Sequence, residues 1–356
     1  MKILVDIGHP AHVHFFKYFI YEMKRRGHEF IITTRNKDVS VQLLRAYDIE
    51  HEIVGEAANG IISLFVEWLG RDLKIYRIAK QFKPDILVGI NNPSIAHVAK
   101  LIVAKSIIFT DTEHAKLSNF VTFPFSDVVC TPFCFKKTLG RKQLRYNGYQ
   151  ELAYLHPNYF KPDPSVLANL DLNQEDIYVI VRFVSWGASH DIGQGGFNAE
   201  GKKRLVEELN RYAYVLITSE NSLPEELEKY RLRIAPEKMH DLLYYAKLYV
   251  GEGATMATEA AILGTPSIFV SSLSNKLGNF VELESKYGLV HSYQKQDSGI
   301  EKAVKLLSQV NSKEEWAKKR RSLLNDKIDV TQFMVNLVSN YSHRNSKNID
   351  YEIRGR

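Results

Sequence analysis

From Gly251 to Val270 the chain reads Gly-Glu-Gly-Ala-Thr-Met-Ala-Thr-Glu-Ala-Ala-Ile-Leu-Gly-Thr-Pro-Ser-Ile-Phe-Val: a glycine turn, a short helix of small residues, a Gly-Thr-Pro stop and a buried strand. A helix that follows a glycine turn presents unpaired backbone N–H groups and the positive end of its dipole, a setting that suits a phosphate. Gly253, Ala254 and Thr255 occupy that turn. Glu259 falls about one helical turn inside, roughly 6 Å further along at ~1.5 Å per residue. From there a carboxylate reaches the hydroxyls of a ribose whose diphosphate rests on the turn. An ordinary strand–helix–strand crossover, with Ala257, Ala260 and Ala261 packed on a sheet, explains the same residues. Both readings stay open at this point.

The rest of the chain repeats the alternation. Lys2–Ile7 reads as a short apolar strand, and Val13 to Arg26 as a helix with Phe16, Phe19, Ile20 and Met23 on one face, ended by Gly27. Strands are expected at Phe30–Thr33, Ile86–Gly89, Ile107–Phe109 and Asp127–Cys130, with a helix opening at Asn91-Asn92-Pro93 and running to about Ala104. After a polar, proline-bearing stretch from His156 to Pro164, further strands are expected at Tyr178–Val181, Tyr214–Thr218, Leu232–Ile234, Leu248–Gly251, Ser267–Val270 and Leu289–His291. Alternating strands and helices imply parallel sheets covered by helices on both faces. The expected class is α/β, with two doubly wound, Rossmann-like domains facing a central cleft. Their boundaries fall at residues 1–160 and 161–325, and a C-terminal helix and polar tail follow over 326–356. In open sheets of this kind ligands bind beyond the carboxyl ends of the strands.

The 356 residues exceed one typical core. A hydrophobic share of 45% with 25% charged residues suits a soluble globular protein. Charge at Lys2 and Asp6 interrupts the start too early for a signal peptide, and no run reaches the ~18 apolar residues of a spanning helix, so a cytoplasmic location is expected. The net charge of +6 favours anionic partners. Its densest cluster, Lys318-Lys319-Arg320-Arg321, follows Glu314 and Glu315 and reads as a solvated helix face. No nucleic-acid-binding signature accompanies it. Cys130 and Cys134 supply neither a disulfide framework nor a zinc site.

Several polar groups fall just after strands. Gly8-His9-Pro10-Ala11-His12-Val13-His14 follows the first; its histidines suit a general base or phosphate contact better than a metal, since no carboxylate other than Asp6 is near in sequence. Alternatively, His12 caps the helix. Thr110-Asp111-Thr112-Glu113-His114 puts two acids and an imidazole at the end of another strand. There Glu113 or Asp111 can abstract a proton or fix the His114 tautomer, or Asp111 simply caps a helix. In the second half, Ser185, Gly187 and His190 lie in a long loop that runs on to Gly193-Gln194-Gly195-Gly196 and reads as a lid or a phosphate loop.

Taken together, these segments resemble the GT-B fold of nucleotide-sugar proteins, across residues 1–325 in element order. Arg182-Phe183-Val184-Ser185-Trp186, Ala188-Ser189-His190-Asp191 and Gly148-Tyr149-Gln150-Glu151-Leu152-Ala153-Tyr154-Leu155 resemble an uncharacterised prokaryotic family, domain of unknown function 354. More distantly the chain is similar to the N-acetylglucosaminyltransferase that makes lipid II and to UDP-N-acetylglucosamine 2-epimerase. The first-strand loop keeps the first glycine and final histidine of the transferase's Gly-x-Gly-Gly-His, which carries the role onto His12 but lacks two glycines. Glu113-His114 through Ser118-Asn119 looks like a variant of the transferase's His-Glu-x-Asn segment. The epimerase's His-Arg-Arg-Glu-Asn motif is echoed only by His190.

The resemblance implies a diphosphate at Gly253-Ala254-Thr255, ribose at Glu259 and a nucleobase near Pro236–His240 with Met239 over the ring. It implies an inverting glycosyltransferase acting on an NDP-sugar, expected to be UDP-linked, in envelope or surface glycan synthesis. No metal and no cofactor is expected beyond that donor substrate. A 2-epimerase and a non-catalytic sugar-nucleotide binder are the alternatives. The partners implied are a nucleotide sugar and a glycan or lipid-linked acceptor. The stripe Ile61, Ile62, Phe65, Val66, Leu69, with Trp68, Arg71, Lys74 and Arg77, fits either an anionic membrane surface or a core face.

Overall fold

A computed structural model describes residues 1–36, 39–56, 61–113, 115–173, 175–184, 195–272, 274, 277–309 and 312–341. The chain divides into two compact units, Met1–Tyr159 together with the segment from Lys327 onward, and Phe160–Asp326.

The first unit is built on a parallel sheet of seven strands: β1 (Lys2–Ile7), β2 (Glu29–Asn36), β3 (Glu52–Glu56), β4 (Ile86–Ile90), β5 (Lys105–Phe109), β6 (Val128–Pro132) and β7 (Gln143–Tyr146). They lie in the order β3-β2-β1-β4-β5-β6-β7. β1 is central because its residues from Ile3 to Ile7 are all buried, and it pairs in parallel with β2 on one side and β4 on the other. The helix Pro10–Arg25 follows it, with proline in its first turn and Gly27 at φ 82° just past its end. Leu4, Leu87 and Ile108 from the sheet pack with Ile75, Ile95 and Val98 from two covering helices. At roughly 25 cal/mol per Å² such burial is the main force holding the layers together.

The last described helix, Val330–Tyr341, belongs to this unit. Thr331 Oγ1 donates to Ala153 O at 2.7 Å, and the Tyr146 and Phe333 rings lie 5.1 Å apart. Gly148 is required there: a Cβ on it would stand 2.6 Å from Val330 Cγ2.

The second unit has a five-stranded parallel sheet: β8 (Tyr178–Phe183), β9 (Tyr214–Ser219), β10 (Leu248–Gly251), β11 (Ser267–Val270) and β12 (Val290–Tyr293), in the order β12-β11-β10-β8-β9. The helix Ala254–Leu263 joins β10 to β11 and ends on Gly264 at φ 83°, in the left-handed region. From Ala257 to Leu263 it is buried on every side, which is why its residues are small or apolar.

Three sequence expectations are corrected. Leu232–Ile234 is not a strand: Arg231 makes a single bridge to Ile217, Leu232 N donates to Ile217 O at 2.7 Å, and the pairing stops there. Glu228 grips Arg231 at 2.7 Å and turns the chain away. Conversely, β3 and β7 form although neither carries an apolar run. Both are edge strands, where polar residues are the rule.

Candidate functional site

In each sheet the strand order reverses at one place; of the residues singled out from sequence, the Gly8–His14 loop follows β1 and Gly253–Thr255 follows β10, both strands flanking a reversal, while Asp111 and Glu113 follow β5, one strand further out. Such reversals are where open α/β sheets bind ligands. In the second unit the reversal lies between β8 and β10.

Gly251 ends β10 where a Cβ would lie 2.5 Å from Tyr249 Oη and 2.8 Å from Arg182 O, so only glycine fits. Gly253 is the N-cap of the helix Ala254–Leu263 and, being glycine, caps none of its amides. Thr255 is exposed and Ala254 half-buried. No side chain caps the first turn of this helix, which starts beyond the carboxyl end of β10.

Glu252, which sequence reasoning passed over, is 2% exposed. Its carboxylate accepts from Val184 N at 3.0 Å and Phe197 N at 2.6 Å. One side chain thus ties both described flanks of the 184–197 connection to the residue preceding the helix. Gly196 is needed beside it, because a Cβ would come within 2.4 Å of Glu252 Oε1. Ser272 adds a second tie, with its Oγ accepting from Gly195 N at 3.2 Å. Ser185, Gly187 and His190, named from sequence, lie outside the described residues.

Glu259 differs from its expected setting. It is 5% exposed, and its Oε1 lies 3.0 Å from His240 Nε2. The reason is the apolar surroundings of its helix: a carboxylate buried there needs a partner, and His240 on the adjoining helix Met239–Tyr245 supplies one. A ribose would meet a carboxylate already shared with an imidazole. Met239 is half-buried at the start of that same helix.

In the first unit the reversal lies between β1 and β4. Asp6, at the end of β1, is fully buried; Thr33 Oγ1 donates to it at 2.6 Å, and Arg71 and Asn92 also bond to it. Asn92 in turn caps the helix Pro93–Ile102, its Oδ1 accepting from Ile95 N at 3.3 Å. This network sets where the loops after β1 and β4 leave the sheet.

The three histidines of the first loop part company. His9, not His12, caps the helix Pro10–Arg25, its Nδ1 accepting from Ala11 N at 3.2 Å. His12 turns back to Gly8, whose N–H donates to Nδ1 at 3.2 Å. His14 is buried beside Tyr47 and Tyr154. Among the described residues no group of three or more His, Cys, Asp or Glu side chains is arranged to hold a metal.

After β5, Thr110 is buried and its Oγ1 accepts from Thr112 N at 3.3 Å, which folds the loop back on itself. Burial, reinforced by the charge of Glu113, pushes the Asp111 carboxyl up to about 6. Asp111 caps nothing: the next helix, Lys116–Thr122, starts from Ala115 without a side-chain cap. Glu113 is 7% exposed and accepts from Lys136 N at 3.2 Å through Oε1, while its buried Oε2 has no hydrogen-bond partner among the described residues. The Tyr146 hydroxyl is similarly unpartnered. His114 lies outside the described residues. The free thiol of Cys130 is buried, and burial pushes its pKa up, as befits packing rather than chemistry.

The side chains of residues 61–69 lie outside those described, so the apolar stripe noted from sequence is not resolved into membrane or core face; Arg71, beyond it, is buried on Asp6. Among the described residues no helix is long and apolar enough to cross a membrane.

Two doubly wound parallel-sheet units in one chain make this a GT-B-like α/β protein. A putative UDP-N-acetylglucosamine 2-epimerase from Listeria monocytogenes is similar to it with a TM-score of 0.69 at 12% identity, over 97% of this chain and 98% of that one. The glycosyltransferase VinC, solved with dTDP, is similar with a TM-score of 0.62 at 12% identity, over 97% and 100%. The chain belongs to the family described as protein of unknown function DUF354, whose sequence model matches residues 1–343. An uncharacterized protein of Methanocaldococcus jannaschii is 22% identical over 281 residues, which is 75% of this chain and 81% of the relative.

Proposed function

We propose that the protein is an inverting glycosyltransferase that takes a sugar from an NDP-sugar, with UDP as the carrier. The donor's diphosphate rests on the amides of Gly253, Ala254 and Thr255, and its ribose meets the Glu259–His240 pair. The base covers Met239. The first unit supplies the groups that activate the acceptor hydroxyl: His12, Asp111 and Glu113. The observation that carries this reading is the uncapped helix start at Gly253, set at the strand-order reversal of the second sheet. Amide donors and a helix dipole stabilise the diphosphate as it leaves, which is the electrostatic part of catalysis and needs no metal. The acceptor we infer is a glycan or lipid-linked sugar of the cell envelope. The likeness to VinC, named as a glycosyltransferase, supports the reaction class.

A 2-epimerase is the second reading. It is favoured by the likeness to the Listeria protein and by the acidic pair Asp111 and Glu113, one member of which titrates near neutrality. Incubation with UDP-N-acetylglucosamine alone separates the two. A new epimer without any acceptor establishes the epimerase, whereas sugar transfer that requires an added acceptor establishes the transferase. Failure of every nucleotide sugar to raise the melting temperature removes both.

A further inference from the structure

We propose that the first unit docks on a membrane surface rich in anionic lipid, through the helix Lys116–Thr122 and the segments packed beside it. Docking of this kind needs no reaction and stands without the transferase reading. The surface lies outside the 61–69 stripe.

The helix Lys116–Thr122 is inside out. It buries Asn119 and Thr122 and leaves Leu117 and Phe120 exposed, Phe120 at 76%. Asn119 Nδ2 donates to Thr112 O at 3.1 Å, but Asn119 Oδ1 and Thr122 Oγ1 are buried with no hydrogen-bond partner among the described residues. If its outer side met only water, the reverse arrangement would be the more stable one. Unpartnered polar groups cost free energy when buried, and apolar groups forgo it when exposed. Leu117 and Phe120, three residues apart, share one side of the helix. The neighbouring segments extend that side. His97, on the helix Pro93–Ile102, has Nε2 2.9 Å from Val121 O, and its ring lies 5.0 Å from that of Phe125. Phe125 is exposed, and Leu101, one turn on from His97, is 67% exposed. The fold does not lack room for such residues, since Phe135 of the following segment is buried. Single exposed apolar side chains are commonplace, but four on two adjoining helices and the loop after them form a patch.

Charge says what the patch faces. From Lys116 to Lys142 the chain carries five cations, Lys116, Lys136, Lys137, Arg141 and Lys142, against one acid, Asp127. All five cations are exposed. Asp127 is already taken, by Lys100 Nζ at 2.7 Å and by Ser106. Lys137 Nζ donates to Glu113 O at 2.8 Å and Lys142 Nζ to Pro124 O at 2.5 Å. These bonds tie the cation-bearing segment to the chain on either side of the helix Lys116–Thr122. Their acceptors are neutral carbonyls, so the positive charge stays uncancelled. A second copy of the chain seated on the same surface would set cation against cation. A bilayer with anionic headgroups meets both halves of the patch: Phe and Leu side chains enter the boundary of headgroup and acyl chain, while Lys and Arg lie among the phosphates.

The test is flotation of the full-length protein with phosphatidylcholine vesicles, either alone or with about one-third phosphatidylglycerol. The wild type should float with the anionic vesicles and stay behind with the neutral ones, and high salt should release it. Leu117→Ser combined with Phe120→Ser should weaken binding at least about tenfold without lowering the melting temperature, since both side chains are exposed in the free protein. Lys116→Gln and Arg141→Gln should each weaken it about fivefold. Tyr214→Ser, which removes an exposed aromatic ring of the second unit, should bind as the wild type does. Absence of wild-type flotation with anionic vesicles overturns the proposal, and so does equal flotation of the wild type and the Leu117/Phe120 variant. A dimer, or binding of single-stranded RNA, that this variant loses while vesicle binding is absent assigns the surface to a second copy or to nucleic acid and overturns it as well. None of these readouts uses a nucleotide sugar: failure here leaves the proposed reaction standing, and an inactive protein that floats leaves the docking standing.

Discussion

The carboxyl ends of the two sheets are built on different principles. At the end of β10 the second unit offers main chain: glycines that admit close approach, an uncapped helix start, and one buried acid, Glu252, spent on holding backbone amides. At the ends of β1 and β5 the first unit offers side chains: a buried Asp6 network, the imidazoles of His9 and His12 on backbone amides, and the acids Asp111 and Glu113. A backbone site is specific for shape and charge and tolerates little movement, which suits an invariant diphosphate. A site of titratable side chains suits proton transfer and differences between acceptors. On the proposed function, the nucleotide is recognised by the second unit and the acceptor by the first.

The sharpest way to break this contrast is Asp6→Ala. It leaves the Arg71 guanidinium buried without its carboxylate, a loss that typically costs 3–5 kcal/mol. The first unit should therefore unfold at much lower denaturant in a urea titration, while the second keeps its own transition. A single unchanged transition would mean that the network is not what sets the loops after β1 and β4.

Much of this architecture was legible beforehand, and the exceptions have physical causes. Central strands such as Ile86–Ile90 announce themselves because both faces are buried. The edges at Glu52–Glu56 and Gln143–Tyr146 do not, since an edge strand needs few apolar residues. Gly253 as a helix start could be read from one short segment. Glu252 could not: an acid between two glycines looks like a solvated turn, and its partners Val184 and Phe197 lie 68 and 55 positions away. Glu259 was legible as a helix residue but not in its pairing with His240, because that depends on how two helices pack.

Glu252→Ala sharpens the comparison from the other side. The buried amide of Phe197 and the half-buried amide of Val184 lose their acceptor, at about 1–3 kcal/mol for a fully buried group and less for the other. The second unit should melt earlier and bind UDP more weakly, whereas Glu252→Gln should recover part of both. If the alanine variant binds UDP like the wild type, the tie to Val184 and Phe197 has no bearing on the nucleotide site.

A smaller effect separates the units by pH. The Asp111 carboxyl titrates at about 6 in the folded protein, above its ordinary value of 3.8, so folding favours its protonated form. That contribution is complete below about pH 4 and is lost as pH rises through about 6, on the order of 1–2 kcal/mol after allowance for partial solvent access. Asp111→Asn should remove this slope from the stability of the first unit, as measured by urea unfolding between pH 4 and 7. A slope that survives the substitution would assign it to other groups.

The division of labour turns on whether the second unit's amides hold a diphosphate, and Ala254→Pro tests that with little else disturbed. Proline is well tolerated at the first position of a helix, where it removes one outward N–H and leaves the fold in place. Calorimetric titration with UDP should show binding to the wild-type protein and about tenfold weaker binding to Ala254→Pro, at an unchanged melting temperature. Equal affinity in the two proteins, or no UDP binding by either, would contradict the assignment of the nucleotide to the helix start at Gly253.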